Sequence, residues 1–146
     1  MNRRKWMMTA ALLGGGGIAA AIPALPAVGQ ASPPSSPIVL VKTAPVFDKG
    51  IGVSVKSYVA CGAGDTGYLS TQVTERSGKG IASGGGYVDF PCTGQVETVT
   101  IPTLAGLGSK LFVAGKAYVI ATLNDCGPFN CSVSSVSGNV TITVKK

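Results

Sequence analysis

Gly52-Val-Ser-Val-Lys-Ser-Tyr-Val-Ala-Cys61 is the stretch whose reading decides the fold. Val53, Val55, Val59 and Cys61 share one parity, interrupted by Ser57, while Lys56 and Tyr58 take the other. Alternation with period two marks a half-buried β-strand. The rhythm returns in Tyr68–Glu75, where Leu69, Thr71 and Val73 alternate with Tyr68, Ser70, Gln72 and Thr74. It returns again at Ala117, Val119, Ala121 and Leu123, and at Val140, Ile142 and Val144 opposite Thr141, Thr143 and Lys145. Ile38–Lys42 is a short apolar run, Tyr87–Phe90 a short strand, and Gln95–Ile101 is β-branched. Thr74–Gly80 predicts a hairpin turn into Ile81 and Ala82. No window carries a helical period.

This pattern gives seven to nine short strands over residues 38–146, joined by glycine-rich turns. It predicts an all-β fold, an antiparallel immunoglobulin-like β-sandwich, with a small barrel as the second arrangement. Gly84-Gly85-Gly86 lacks the lysine-serine ending and the following helix of a phosphate loop, and reads as a flexible hairpin connection.

The first 31 residues read as a removable export signal. Arg3, Arg4 and Lys5 form a positive start, Trp6–Ala21 is apolar apart from Thr9, and Gly29 and Ala31 suit a peptidase that cuts before Ser32. The apolar run is short and glycine-rich for a transmembrane helix, which needs about 20 apolar residues. Arg3-Arg4 fits either an ordinary charged start or a twin-arginine signal, and both stay open. Residues 32–37, SPPSSP, read as a tether that cannot pack or pair regularly. Residues 38–146 are the folded domain.

Export permits disulfides, and four cysteines allow three pairings. Cys126 and Cys131 close the short CGPFNC loop across Gly127-Pro128, which leaves Cys61 and Cys92 as partners. The alternatives are weaker. C-x4-C has the wrong spacing for a redox C-x-x-C, and a zinc site has no histidine to call on. No metal and no cofactor is expected.

Cleavage removes three of the twelve basic residues and none of the six acidic ones, so the net charge falls from +6 to +3. The remaining lysines and Arg76 are scattered singly except for Lys145-Lys146. Nucleic-acid binders concentrate their charge, so no nucleic-acid partner is expected, nor a membrane span after cleavage.

Catalysis finds little footing. The commonest general base, histidine, is absent. Asp48, Asp65 and Asp125 are assigned to turns, and Glu75, Asp89 and Glu97 to exposed or scattered positions; a Glu75–Asp89 dyad would be a chance meeting. The chain is therefore read as a non-enzyme. Among the aromatics, Tyr58 and Tyr68 take outward parity; on neighbouring strands they would make a small platform, but ordinary cross-strand packing of tyrosines on a sheet surface is the preferred reading.

Two resemblances add to this. Cys61-Gly-Ala-Gly, Ser70-Thr-Gln-Val-Thr-Glu-Arg76, Cys92-Thr-Gly-Gln95, Gly115-Lys-Ala-Tyr-Val119, Cys126, Cys131 and the terminal valine strand together resemble a group of exported actinobacterial proteins of unknown function. Those are expected to be immunoglobulin-like sandwiches. The likeness spans roughly Gly52 to Val144 and brings no activity with it. More narrowly, Ala121-Thr-Leu-Asn-Asp-Cys-Gly-Pro-Phe-Asn-Cys-Ser-Val-Ser134 is similar to the final disulfide hairpin of neocarzinostatin-type apoproteins, secreted seven-stranded sandwiches that carry an enediyne in a cleft. The second disulfide of that family closes a short loop, whereas Cys61 and Cys92 enclose thirty residues.

The reading is a secreted, extracellular or cell-wall-associated protein with a structural or interaction role toward an extracellular protein. The alternative is a carrier of a small apolar molecule. A deep apolar cleft rimmed by the CGPFNC hairpin would favour the carrier, and a filled interior the interaction module.

Overall fold

The computed structural model describes residues 38–144; the expected signal, the tether and the last two lysines lie outside the described residues. The described residues form eight strands: β1 (Ile38–Leu40), β2 (Thr43–Phe47), β3 (Gly52–Val59), β4 (Thr66–Ser77), β5 (Gly80–Pro91), β6 (Glu97–Ala105), β7 (Gly115–Cys126) and β8 (Cys131–Thr143). A single 3-10 turn, Asp48–Gly50, joins β2 to β3.

Seven of these strands close on themselves. From β2 the ring runs through β8, β7, β4, β5 and β6 to β3, which pairs back with β2. β1 is an eighth strand, added to the end of β3. The result is an all-β barrel closed by seven strands. All ladders are antiparallel except β2–β8, which is parallel through Thr43↔Thr141 and Ala44↔Ile142. Strand β2 escapes an alternation reading because Pro45 interrupts it; the parallel ladder ends at that residue, opposite Thr143, where a missing N–H is tolerated.

The alternating positions face where their parity says. Val53, Val55 and Val59 of β3, Leu69 and Val73 of β4, Ala117, Val119, Ala121 and Leu123 of β7, and Val140 and Ile142 of β8 are all buried in one core with Ile101 of β6. Phe112, in the loop between β6 and β7, stops one end of the barrel, and its N–H donates to the Gly50 carbonyl at 2.9 Å. Its burial is worth roughly 1.5–3 kcal/mol.

The glycine run is where the sequence reading needs correcting. Gly84-Gly85-Gly86 is no hairpin connection. It lies inside β5, which runs unbroken for twelve residues, paired with Val73, Gln72 and Thr71 of β4. The reason is steric. A Cβ on Gly84 would strike the Leu104 carbonyl oxygen, and one on Gly86 the Pro102 carbonyl oxygen. Without side chains there, β6 approaches closely enough to pair at Gly84↔Ala105 and Gly85↔Leu104. Those two pairs are the whole β5–β6 ladder, and they close the ring.

Both disulfides form as expected and sit at the end opposite Phe112. Cys61–Cys92 ties the ends of β3 and β5, with Cα atoms 5.6 Å apart. Cys126–Cys131 is a directly opposed pair closing the β7–β8 hairpin, Cα atoms 4.0 Å apart.

Candidate binding face

The four strands β5, β4, β7 and β8 lie side by side, and their outward residues form cross-strand rows fixed by register. One row reads Tyr87–Ser70–Thr122–Ser135, the next Gly85–Gln72–Ile120–Ser137, and the third Ser83–Thr74–Tyr118–Asn139. Small hydroxyls dominate, and several bond to one another. Thr122 Oγ1 and Ser135 Oγ are 3.0 Å apart, the Tyr118 hydroxyl donates to Ser137 Oγ at 2.8 Å, and Ser70 Oγ donates to the Thr122 carbonyl at 3.4 Å.

A groove of about 580 Å³ opens on this face. Ser70, Gln72, Ile120 and Thr122 floor it, and Tyr87, Pro102 and Leu104 wall it. It exists because Gly85 presents no side chain, and because β5 and β6 part beyond their two-pair ladder. A second hollow of about 400 Å³ shares Gln72 and Gly85 and continues past Thr74 and Ser83 to Gly106. The two together follow β4 and β5 for about 14 Å, at the usual rise of ~3.4 Å per residue. Neither lining contains an acid, a lysine or an arginine. The Gln72 carboxamide makes no hydrogen bond to the protein among the described residues.

Three tyrosines stand on the same face: Tyr87 is 81 % exposed, Tyr68 48 % and Tyr118 48 %. The alternative, a platform of Tyr58 and Tyr68, does not form. Tyr58 belongs to β3, which is no neighbour of β4 in the ring. Tyr68 stands opposite Asp89 and Asn124, with Tyr87 one row along opposite Ser70, while Tyr118 lies farther down the face opposite Thr74. Parity already placed Tyr68, Ser70, Gln72 and Thr74 outward. The sequence does not place Tyr87 beside β4, because the glycines before it read as a loop.

The acids are distributed differently from expectation. Glu75 is buried, 2 % exposed, on the inner side of β4. Its parity with Leu69, Thr71 and Val73 carried that signal, which the rarity of buried carboxylates outweighed. Glu75 Oε2 accepts the Val113 N–H at 3.0 Å, and Oε1 meets no partner. Desolvation raises its pKa above the ordinary carboxylate range, and the Val113 bond offsets part of that rise. Asp89 sits outward, opposite Tyr68, so the two acids face opposite sides of the sheet and do not meet. Asp125 lies in β7 rather than in a turn; it is buried, and its Oδ2 accepts the Gly62 N–H at 3.2 Å. Glu97 accepts the Thr93 N–H at 3.0 Å and so folds back the loop entering β6.

Sulfur atoms of Cys61 and Cys92 and a carboxylate oxygen of Asp125 lie within 4.8 Å of one another. The two sulfurs are bonded to each other and offer no thiolate to a cation. The cluster is a disulfide resting against a carboxylate. None of Cys126 to Cys131 lines the groove, and Phe129 at the hairpin tip is 97 % exposed.

No protein-family model and no curated protein matches this chain. Among the described residues no helix is long and apolar enough to cross a membrane. The two disulfides fit an extracellular protein.

Proposed function

We propose that the protein is a secreted, non-enzymatic immunoglobulin-like sandwich whose β5–β4–β7–β8 face is an interaction surface. The observation that carries this reading is the face itself. Tyr87 walls an uncharged, hydroxyl-lined groove, exposed Tyr68 and Tyr118 stand on the same face, and the interior behind it is filled. Tyrosine is favoured at recognition surfaces because it offers contact area and a polar tip at small entropic cost.

The pairing pattern supports the sandwich. β3 and β6 form one broad ladder, and β2, β8, β7, β4 and β5 form the other layer. The two are joined only at narrow seams, β2–β3 and β5–β6, of two residue pairs each. Such a layer division, with a first strand that switches sheets, is the immunoglobulin arrangement. The basic start of the chain, its apolar run and the small pair Gly29 and Ala31 support secretion, in line with the resemblance to exported actinobacterial proteins.

The test is retention on the immobilised mature protein. Secreted proteins and cell-wall material from the producing organism are passed over wild type, Tyr87→Ala and Tyr58→Ala. A partner held by wild type and Tyr58→Ala but released by Tyr87→Ala supports this face. Retention indifferent to Tyr87 overturns it.

A second reading is a carrier of a small apolar molecule, as in neocarzinostatin-type apoproteins. The groove volume favours it, since ligand pockets run about 300–1,000 Å³. The hairpin that carries the likeness stands off the groove. Native mass spectrometry of protein from its own producer distinguishes the two: a bound small molecule favours the carrier.

A further inference from the structure

We infer that the groove on the β5–β4–β7 face binds a neutral glycan chain, an inference that rests on the interaction face proposed above. The first observation is the absence of charge. Acidic polysaccharides, nucleic acids and anionic headgroups require arginine or lysine at the contact. The nearest cation on β4 is Arg76, two positions past Thr74 and so about 7 Å beyond the end of the second hollow, outside both linings. A neutral ligand is what this lining accepts without leaving a charge unpaired.

The second observation is the kind of polar group. Gln72 stands in both hollows with an unengaged carboxamide, two donors and an acceptor in a short fan. Thr74 and Ser83 add hydroxyls that donate or accept as required, and Ser70 and Thr122, already bonded to the Thr122 carbonyl and to Ser135, keep acceptor capacity. Vicinal hydroxyls of a sugar are both donors and acceptors, and they match such a lining. A purely apolar molecule would leave these groups without water and without partners.

The third is Tyr87. Its ring stands at the wall of the groove, most of its surface in water. An aromatic face offers contact area to the C–H face of a pyranose, and its hydroxyl stays hydrated. The fourth is shape. The hollows share Gln72 and Gly85 and run on along the strand direction, open to solvent, which suits a chain rather than a compact molecule. An added peptide strand is disfavoured at the β6 wall, where Pro102 lacks an N–H for a new ladder.

The experiment uses the mature protein with cello-oligosaccharides, chitin oligosaccharides, mannan and starch, against heparin and polygalacturonate. Affinity electrophoresis and calorimetry read the binding. Retention by at least one neutral glycan is expected, unchanged by 1 M salt within about twofold because no ion pair is screened. Tyr87→Ala and Gln72→Ala should each weaken it tenfold or more, and Tyr58→Ala should leave it unchanged. The inference is overturned if no neutral glycan binds, if only the polyanions bind and salt releases them, or if Tyr87→Ala and Gln72→Ala bind as wild type. A protein partner lost with Tyr87→Ala, with no glycan bound, would sink the glycan and leave the interaction face standing.

Discussion

The Glu75 carboxylate holds the backbone N–H of Val113 at 3.0 Å with one oxygen and buries the other without a partner. This contact fastens the loop carrying Phe112 across the end of the barrel. Burial raises the Glu75 pKa, so the folded protein keeps its proton at pH values where the unfolded chain has lost it. In that window the folded state binds more protons, and stability falls as pH rises. The fall starts near the ordinary carboxylate pKa and ends above the raised one. Glu75→Gln removes the titration. Its stability relative to wild type should therefore increase from pH 4 to pH 8, measured by urea unfolding at each pH. A difference that stays flat or decreases would show that Glu75 ionises without cost.

Gly86 is required by the approach of β6, not by a turn. Gly86→Ala places a methyl against the Pro102 carbonyl oxygen. Overpacking of this kind costs about 1–3 kcal/mol. The loss should be concentrated at the β5–β6 seam, where only two residue pairs hold the ring closed. Hydrogen exchange should accelerate at Leu104 and Ala105 more than at Val119 or Leu123. Gly85→Ala, whose added methyl meets only the Thr71 carbonyl oxygen at 3.5 Å, should be far milder.

The difference between those two glycines shows where sequence reading works and where it stops. The inward faces of β3, β4, β7 and the end of β8 were legible because Val53, Leu69, Val119 and Ile142 each begin or continue a period of two. Side-chain chemistry alone fixes that pattern. Gly84 and Gly86 carry no side chain, so their role is set by Leu104 and Pro102, which approach from the following strand. Three consecutive glycines say "turn" locally and "close approach" only in the assembled sheet. The candidate site inherited the same blindness. Gln72 was placed outward correctly, yet its neighbour Tyr87 was hidden behind the misread run. β8 is legible only over its apolar end, because Ser132–Ser137 reads Ser-Val-Ser-Ser-Val-Ser, and its two valines stand three apart and break the period of two.

Phe90 lies over Gly67, its ring atoms 2.5–2.9 Å from where a Cβ would stand. The two residues are direct partners in the β4–β5 ladder. An aromatic covering a strand glycine compensates for the missing side chain and pins register. Gly67→Ala should displace the ring and cost roughly 1–3 kcal/mol by overpacking. Combined with Phe90→Leu it should cost less than the sum of the single changes, because the ring that the new methyl strikes is gone. Additive losses in a double-mutant cycle by urea unfolding would mean that the contact is incidental.

The disulfides should contribute unequally. Cys61–Cys92 spans 31 residues of sequence and joins the ends of β3 and β5, which are not paired with each other in the ring. Cys126–Cys131 spans five and closes a hairpin whose ladder already continues from Asp125↔Ser132 to Gly115↔Ile142. In the loop-entropy account the longer closure restricts the unfolded chain by ~4 kcal/mol and the shorter by ~2 kcal/mol. The native contacts push the same way. Losing the long bridge also frees the segment around Gly62, whose N–H satisfies the buried Asp125. Replacing Cys61 and Cys92 with serine should thus lower the urea midpoint about twice as far as replacing Cys126 and Cys131. It should also expose the amide of Gly62 to exchange, while the β7–β8 amides in the hairpin double mutant stay protected. Equal midpoint shifts would mean that the hairpin bridge stabilises by something other than closing its loop.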